Sequence, residues 1–476
     1  MSAFTTLDLV VLIAYLAAVT IWGAWLGRGQ KGGTDYFLGS RSLPWAAVML
    51  SVVATETSTL TFLSVPGVAY TGSLVFLQLT FGYLLGRVAV ALLFLPSYYA
   101  GSLTTAYELL ERRFGLGARR FTSAIFMVTR LLADSVRLFA TAIPLAIITG
   151  WPYQASIAVI GVMTVIYTYF GGIKAVVWVD ALQMSLYLFG AVAAAVAVQV
   201  LVPGGWSNVV VSSGFAGKLD VIDLSFDLQV TYTLWAGVFG GAVFTMASHG
   251  TDQLIVQRLL TCRDQRAAQT ALVGSGVAVI IQFLLFLMLG LGLWSFYGGR
   301  TFERPDEIFA LFIVEVLPPG VSGLLIAGVF AAAMSSLSSS INSLASATAY
   351  DYWAPMAGAR DDDARILRAG KIFTLVWAAL LILGAILFIP LSRGTSAVEV
   401  ALGIAALVYG GLLGAFALGI FTSRPRQSAA IVGLAVGITA VYFMRDLVAW
   451  PWYVLIGSVV TFVVGSVVGL FQPERE

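Results

Sequence analysis

Long apolar stretches follow one another along almost the whole chain, and short charged or Gly/Pro-containing segments separate them. We count thirteen stretches of roughly the 20 residues that an α-helix needs to cross a bilayer. Only 11% of the 476 residues are charged, against about 25% in soluble proteins. Because lipid offers no partners for exposed backbone groups, such stretches must fold as helices. The sequence therefore predicts an all-α polytopic membrane protein with about 13 transmembrane helices. They lie near 7–28, 43–64, 74–98, 119–149, 153–170, 175–202, 229–257, 268–298, 320–352, 370–390, 396–422, 428–444 and 452–471.

The order of these helices indicates an inverted repeat. Residues 43–202 and 229–422 each contain five predicted helices, and an odd number means that the second set runs in the opposite orientation. Inverted-repeat transporters bind their substrates near the midplane, where the first helix of each repeat is broken. We see no clear sequence similarity between the halves, so the division depends on the count alone. The remaining predicted parts are a leading helix and cytoplasmic loop (1–42), a polar extracellular connection (203–228), a second long connection (299–319) and two C-terminal helices (423–476).

The distribution of Lys and Arg predicts the orientation of the chain. Of 26 such residues, eighteen lie in one set of predicted connections, five in the other and three within spans. Because loops rich in Lys and Arg stay in the cytoplasm, we expect the N-terminus outside and the C-terminus in the cytoplasm. The first apolar stretch lacks a basic leader and a cleavage site, so we expect it to remain as a helix. We expect a plasma membrane protein, in bacteria of the inner membrane, and a net charge of +2 gives no sign of a nucleic-acid partner.

Hydroxyl groups are concentrated in the ninth predicted span, where Ala332–Ser340 reads AAMSSLSSS. Hydroxyls in hydrocarbon must find partners, and several on one helix offer the hard oxygen ligands that suit a small cation. Packing of helices by small residues is the alternative interpretation. Asp180 lies in the sixth span. Its negative charge either stabilises the N-terminus of a helix through the helix dipole or completes an oxygen cage with these serines.

The second predicted span is interrupted by polar residues. Ser51–Ser58 reads SVVATETS, and Pro66–Gly67 follow it. An unwound turn there would free carbonyl oxygens to hold a cation. Glu56 is a carboxylate within the span, which makes it a candidate for a functional site. A structural acceptor between helices is the alternative role.

Arg130, Asp134 and Arg137 lie on one face of the fourth span, because they are four and three residues apart. They could neutralise one another, but one Asp cannot fully pair with two Arg, which leaves a net positive face. The planar guanidinium group suits a carboxylate of the solute.

Polar residues also occur in the seventh span. His249 is the only histidine, and we expect it to be a packed hydrogen-bonding residue rather than a proton relay. Asp252 and Gln253 are better candidates for contacts with the solute. With one His, one Cys and no HExxH motif, the chain lacks the groups of an intramembrane enzyme, and we expect no enzymatic activity.

Four segments together resemble the sodium:solute symporter family, in order and over nearly the whole chain. They are ATETS with the nearby FLSVPGVAY (54–70), GGIKAVVWVDALQ (171–183), DQLIVQR (252–258) and MSSLSSSINS with the following Asp351–Tyr352 (334–352). The resemblance implies a Leu-transporter-type core of two inverted five-helix repeats, with one helix before it and two after it. It also implies Na⁺-coupled uptake by alternating access.

The same resemblance implies the sodium ligands. A first Na⁺ would be held by the backbone carbonyls of Ala54, Thr57 and Ala332 and the hydroxyls of Ser335 and Ser336. Some members bind a second Na⁺ with an Asp and further serines, which correspond here to Asp180, Ser338 and Ser339. We therefore expect two co-transported sodium ions.

The solute is less well defined by the sequence. The residues that we expect to contact it are Glu56, Thr59, Gln78, Arg137, Asp252 and Gln253. The Arg130–Arg137 face has no counterpart that we can place in the sugar-transporting branch, and Asp252 stands where several members have Asn. These departures favour a carboxylate or zwitterion, whereas a monosaccharide symporter, an uncoupled carrier and a solute sensor remain alternatives. We expect no obligatory protein partner.

Overall fold

The computed structural model describes residues 4–101, 103–302, 305–392 and 397–472, and every regular element in these ranges is helical. Arg304, Arg393 and Arg475, which enter the charge count, lie outside them. The first nine helices are α1 (Thr6–Leu26), α2 (Gly33–Leu38), α3 (Trp45–Glu56), α4 (Thr59–Thr71), α5 (Leu77–Leu93), α6 (Leu95–Tyr99), α7 (Glu108–Phe114), α8 (Leu116–Thr149) and α9 (Tyr153–Leu201).

The remaining helices begin with α10, which lies within the long connection after α9. They are α10 (Gly205–Phe215), α11 (Gly241–Gly250), α12 (Gln253–Leu259), α13 (Gln265–Phe296), α14 (Pro305–Glu315), α15 (Val321–Ala347), α16 (Ala354–Met356), α17 (Asp363–Phe388), α18 (Ala397–Phe421), α19 (Gln427–Met444) and α20 (Pro451–Leu470). Short π-helical segments precede α11 and follow α15. The two long connections that the sequence predicts are therefore partly helical, since they contain α10 and α14.

The all-helical membrane fold is confirmed, but the number of spans differs from a simple count. Among the described residues, eight helices are long and apolar enough to cross a membrane, or nine if the bent pair α3–α4 is one span. One reason is that two predicted spans run together in α9, which changes direction at Gly172 (φ 54°, ψ −156°). Another is that polar breaks divide spans into helices too short to cross alone. The count of thirteen stays a prediction.

Two spans are broken where polar side chains cap a new helix. Helices α3 and α4 meet at an angle of 62°, and the Ser58 hydroxyl accepts a hydrogen bond from the Thr61 N–H at the start of α4. Between α11 and α12, the Asp252 carboxylate accepts from the Leu254 N–H at 2.9 Å. Such caps compete with the regular helical ladder and allow it to restart in a new direction. These are the first helices of the two predicted repeats, whose division stays a prediction.

Helix α15, which carries the serine run, is buried along nearly its entire length. A carboxylate anchors each end. At its start Asp8 accepts from the Ser322 hydroxyl at 2.7 Å and the Gly323 N–H at 2.8 Å. Just beyond its other end, Asp351 accepts from Arg119 and from the Ser123 hydroxyl, both at 2.7 Å. These bonds fix the position of the serine helix in the core.

Candidate functional site

The break between α3 and α4 lies against the serine run of α15. On one side of the break, the hydroxyls of Thr55 and Ser339 are 3.2 Å apart. On the other side, the Thr59 hydroxyl donates to the Val329 carbonyl at 3.0 Å. The unwound turn is therefore held opposite the segment of α15 between these two contacts, which contains the residues that the resemblance assigns to the first Na⁺.

The break releases two carbonyl groups from the helical ladder. The Ser58 N–H bonds to the Glu56 carbonyl at 3.1 Å rather than to Ala54, four residues back. Likewise, the Thr61 N–H bonds to the Ser58 hydroxyl at 3.4 Å rather than to the Thr57 carbonyl. Freed carbonyls of this kind are the oxygen ligands that broken helices offer to cations.

The serine helix supplies oxygens to the same region. The Ser336 hydroxyl donates to the Ala332 carbonyl at 3.2 Å, which places two predicted ligands side by side. The Ser335 hydroxyl is buried and has no hydrogen-bond partner within the described part of the chain. A buried hydroxyl without a partner is costly, so its oxygen is well suited to a bound cation. The residues present thus fit the predicted first Na⁺ group.

Asp180, in α9, lies beside α3 and the serine helix and belongs to the second predicted group. Its Oδ2 accepts from the Ser51 hydroxyl at 2.6 Å and from Arg258 Nη2 at 3.1 Å. Arg258 also donates to the hydroxyl of Ser339, so a guanidinium group stands beside two of the three predicted ligands. The hydroxyl of Ser338 instead donates along its own helix, to the Ser335 carbonyl at 3.0 Å.

A cavity opens between α4, α8 and α15, beside the first predicted Na⁺ group. Its lining includes Ser58, Thr59, Asp134, Arg137 and Ser336. A quarter of the Arg137 side chain is exposed, and its Nη1 donates to Asp134 at 3.1 Å. The cavity thus combines hydroxyls with the guanidinium group of a partly exposed side chain that Asp134 holds through Nη1.

The positive face that the sequence predicts on α8 is compensated in the structure. Arg130 donates to Asp252 and to the Tyr409 hydroxyl, and that hydroxyl donates to Asp252 at 2.8 Å. Asp134 serves both arginines, since it lies 3.6 Å from Arg130 and 3.1 Å from Arg137. Two carboxylates therefore balance two guanidinium groups. The expectation of an unbalanced face was wrong, because Asp252 from a distant helix supplies the missing charge.

Of the six predicted solute contacts, only Thr59 and Arg137 line this cavity. Glu56 forms an ion pair with Arg87. Gln78 accepts from the Asp223 N–H at 3.0 Å and so holds the long connection. The other two, Asp252 and Gln253, are fully buried and accept hydrogen bonds from the Tyr409 hydroxyl and the Ala106 N–H, respectively. A role for these four in solute binding stays a prediction.

Several residues near the candidate site had no role assigned from the sequence. Arg87 is buried between Glu56 and His249, whose Nε2 lies 3.2 Å from Arg87 Nη2. Its position within an apolar span was the available signal. Arg258 is the last residue of the DQLIVQR motif, but its partner, Asp180, is 78 residues away in the sequence. Nothing in the sequence marks Tyr409.

Outside the spans, a cluster of charges ties α7 to neighbouring segments. Glu111 accepts from Arg119 at 2.5 Å and from Arg360 at 2.8 Å. Burial alone would raise the pKa of Glu111, but these two hydrogen bonds lower it below the ordinary value. The carboxylate is therefore charged at neutral pH and holds two basic segments together at this end of the bundle.

Comparison with known proteins identifies the family. A model described as the sodium:solute symporter family matches residues 36–437. The sodium/sialic acid symporter SiaT of Proteus mirabilis is 30% identical, over 99% of this chain and 97% of its own. The human sodium/iodide cotransporter is also 30% identical, over 91% of this chain and 69% of its own.

A solved structure confirms the predicted fold. It is a Na⁺-coupled sialic acid symporter in a substrate-bound outward-open state, with a TM-score of 0.90, 29% identity and 99% coverage of both chains. The sequence resemblance and the arrangement of helices thus lead to the same family of transporters, which excludes the enzyme alternative. This chain belongs to the sodium:solute symporter family.

Proposed function

We propose that this symporter couples Na⁺ to the inward transport of a small solute that carries a carboxylate group. The observation that carries the proposal is the position of Arg137 in a cavity next to the first predicted Na⁺ group. A guanidinium group presents paired donors that match a carboxylate, and Asp134 holds one of its nitrogens so that the orientation is set before the solute arrives. The relatives named above are symporters of sialic acid and of iodide, which are both anions, and this supports the choice of charge.

The proposed first Na⁺ is coordinated by Ala54, Thr57, Ala332, Ser335 and Ser336. Ser336 belongs to this group and also lines the cavity. Sodium would fix the break between α3 and α4 against α15 and so complete the wall that the solute contacts. Each ligand then raises the affinity for the other by the same factor. Movement of one group of core helices against the rest would then expose the site to the opposite side of the membrane.

We further propose a second Na⁺ at Asp180, Ser338 and Ser339. Each positive charge that crosses a potential of about 100 mV contributes about 2.3 kcal/mol. Two ions would therefore support a much steeper accumulation of solute than one. In this scheme the N-terminus is outside and the C-terminus cytoplasmic, as the Lys and Arg count predicts.

The test is uptake by the purified protein in proteoliposomes, with sialic acid, monocarboxylates and monosaccharides as solutes and with NaCl or KCl outside. We expect accumulation of a carboxylate solute in NaCl only. Arg137→Gln should raise the half-saturating solute concentration at least about tenfold, which corresponds to about 1.4 kcal/mol, because a charged hydrogen bond is lost.

Arg120→Gln is the matched control, since it removes the same charge from the same helix at a distance from the cavity, and it should leave solute affinity unchanged. Uptake of a neutral monosaccharide, unaffected by Arg137→Gln, would overturn the carboxylate proposal. Equal uptake in KCl would overturn the coupling to Na⁺.

A further inference from the structure

The second proposed sodium site already contains a cation of the protein. Arg258 and Asp180 are both completely buried, and Arg258 Nη2 lies 3.1 Å from Asp180 Oδ2. Arg258 Nε also donates to the Ser51 hydroxyl at 2.9 Å, and that hydroxyl in turn donates to Asp180 at 2.6 Å. With its further bond to Ser339, the guanidinium group contacts Asp180, Ser51 and Ser339 together.

The two oxygens of Asp180 differ sharply. Oδ2 receives the hydrogen bonds described above, whereas Oδ1 is buried and has no partner among the described residues. The Ser335 hydroxyl is likewise buried without a partner there. Arg258 thus engages one oxygen and leaves the other for a ligand. A cation at Oδ1 would sit on the side of the carboxylate away from the guanidinium group.

Charge decides how the two cations can share one carboxylate. A lone buried carboxylate is strongly unfavourable, and one cation suffices to compensate it. A second cation on the same carboxylate is repelled by the first, and the low dielectric of the interior strengthens this repulsion. Sodium at Asp180 must therefore bind against the field of Arg258.

We infer that Arg258 is a positioning residue that sets the affinity of the second sodium site. It turns Asp180 so that Oδ1 is available, neutralises the carboxylate when no Na⁺ is bound, and keeps the second Na⁺ weakly bound so that it can leave. This inference rests on the proposed second Na⁺ at Asp180. It requires no chemical step and no group other than those described.

The experiment measures binding of ²²Na⁺ to the purified full-length protein over a wide range of Na⁺ concentrations, without solute. The wild type should bind two ions, one of them weakly. Arg258→Gln should lower the half-saturating concentration of the weak phase about tenfold, because the repulsion is removed. Arg258→Lys should behave like the wild type, and Asp180→Asn should lose the weak phase.

Arg263→Gln is the control, because it removes the same charge five residues further along, from an exposed side chain that pairs only at the surface, with Asp264 at 3.0 Å. It should leave both phases unchanged. The strong phase at the first site reports whether each variant is folded, and Arg258→Lys covers the case in which Arg258→Gln does not fold. Two phases that Arg258→Gln leaves unchanged or weakens would overturn the role of Arg258 alone. A single phase in the wild type, insensitive to Asp180→Asn, would overturn the second site itself.

Discussion

The hydroxyls of the serine run differ in whether the helix itself supplies their hydrogen-bond partner. Most hydroxyls of the serine run bond to carbonyls one turn back, as Ser339 does to Ser335 at 2.6 Å. Such bonds satisfy a hydroxyl in an apolar environment. The Ser335 hydroxyl is the exception within this run, since it is buried without such a bond in the described structure. We therefore propose that it serves a ligand rather than packing alone.

Ser335→Ala tests this at the scale of one atom. We expect the variant to fold, because Ala is smaller and a good helix former, and to lose most of its affinity for the first Na⁺. The measurement is the shift in melting temperature between NaCl and KCl, since a ligand of the folded state raises the apparent midpoint. Ser343→Ala is the control, because the Ser343 hydroxyl donates along its own helix, to the Ser340 carbonyl at 3.1 Å. An unchanged sodium shift in Ser335→Ala would mean that the serines only pack helices.

At the scale of elements, breaks in helices place the site. The turn between α3 and α4 releases carbonyls, and the turn between α11 and α12 presents Asp252 to Arg130. The third break, at Gly172, divides α9, and the buried Asp180 lies in its second half. At Gly172 the backbone adopts φ 54° and ψ −156°, a conformation that is essentially restricted to glycine.

Gly172→Ala should destabilise the protein by about 1–3 kcal/mol, because the backbone conformation is strained for any residue with a Cβ. The added atom would also lie 2.6 Å from the Tyr36 carbonyl oxygen. The measurement is thermal unfolding in detergent. Gly403→Ala serves as the comparison, since a Cβ there meets no atom of the described residues within 4 Å, and it should be neutral or stabilising. A melting temperature that Gly172→Ala leaves unchanged would show that the kink is not strained.

At the scale of the whole molecule, the inverted arrangement and the net direction of transport depend on orientation in the membrane. The single cysteine, Cys262, is completely buried. We therefore expect little reaction of the wild-type protein with a thiol reagent. Phe215 in α10 is 91% exposed and lies in the predicted extracellular connection. Met356, just after the serine helix, is 73% exposed and lies on the predicted cytoplasmic side.

A membrane-impermeant thiol reagent should therefore label Phe215→Cys in intact cells and label Met356→Cys only after permeabilisation. Wild-type protein is the control for reaction at Cys262. The opposite pattern would reverse the orientation, and labelling of both variants in intact cells would contradict an odd number of spans between the two positions.

The sequence alone determined the helical membrane fold, the polar break near Glu56 and the serine-rich helix, because each depends on residues close together in the chain. Composition and the absence of partners in lipid leave only helices, and the order of local motifs is sufficient to identify the family. The same local chemistry marked Arg137 and Asp180 as unusual charges within spans.

Only the tertiary structure decided which of these groups meet. It pairs Asp252 with Arg130 across 122 positions and Arg258 with Asp180 across 78, and it uses Gln78 to hold a connection rather than to line the cavity. Periodicity fixes the face on which a side chain lies, but not the partner that packing brings to that face. For buried charges, that partner decides whether a group binds a ligand or the protein itself.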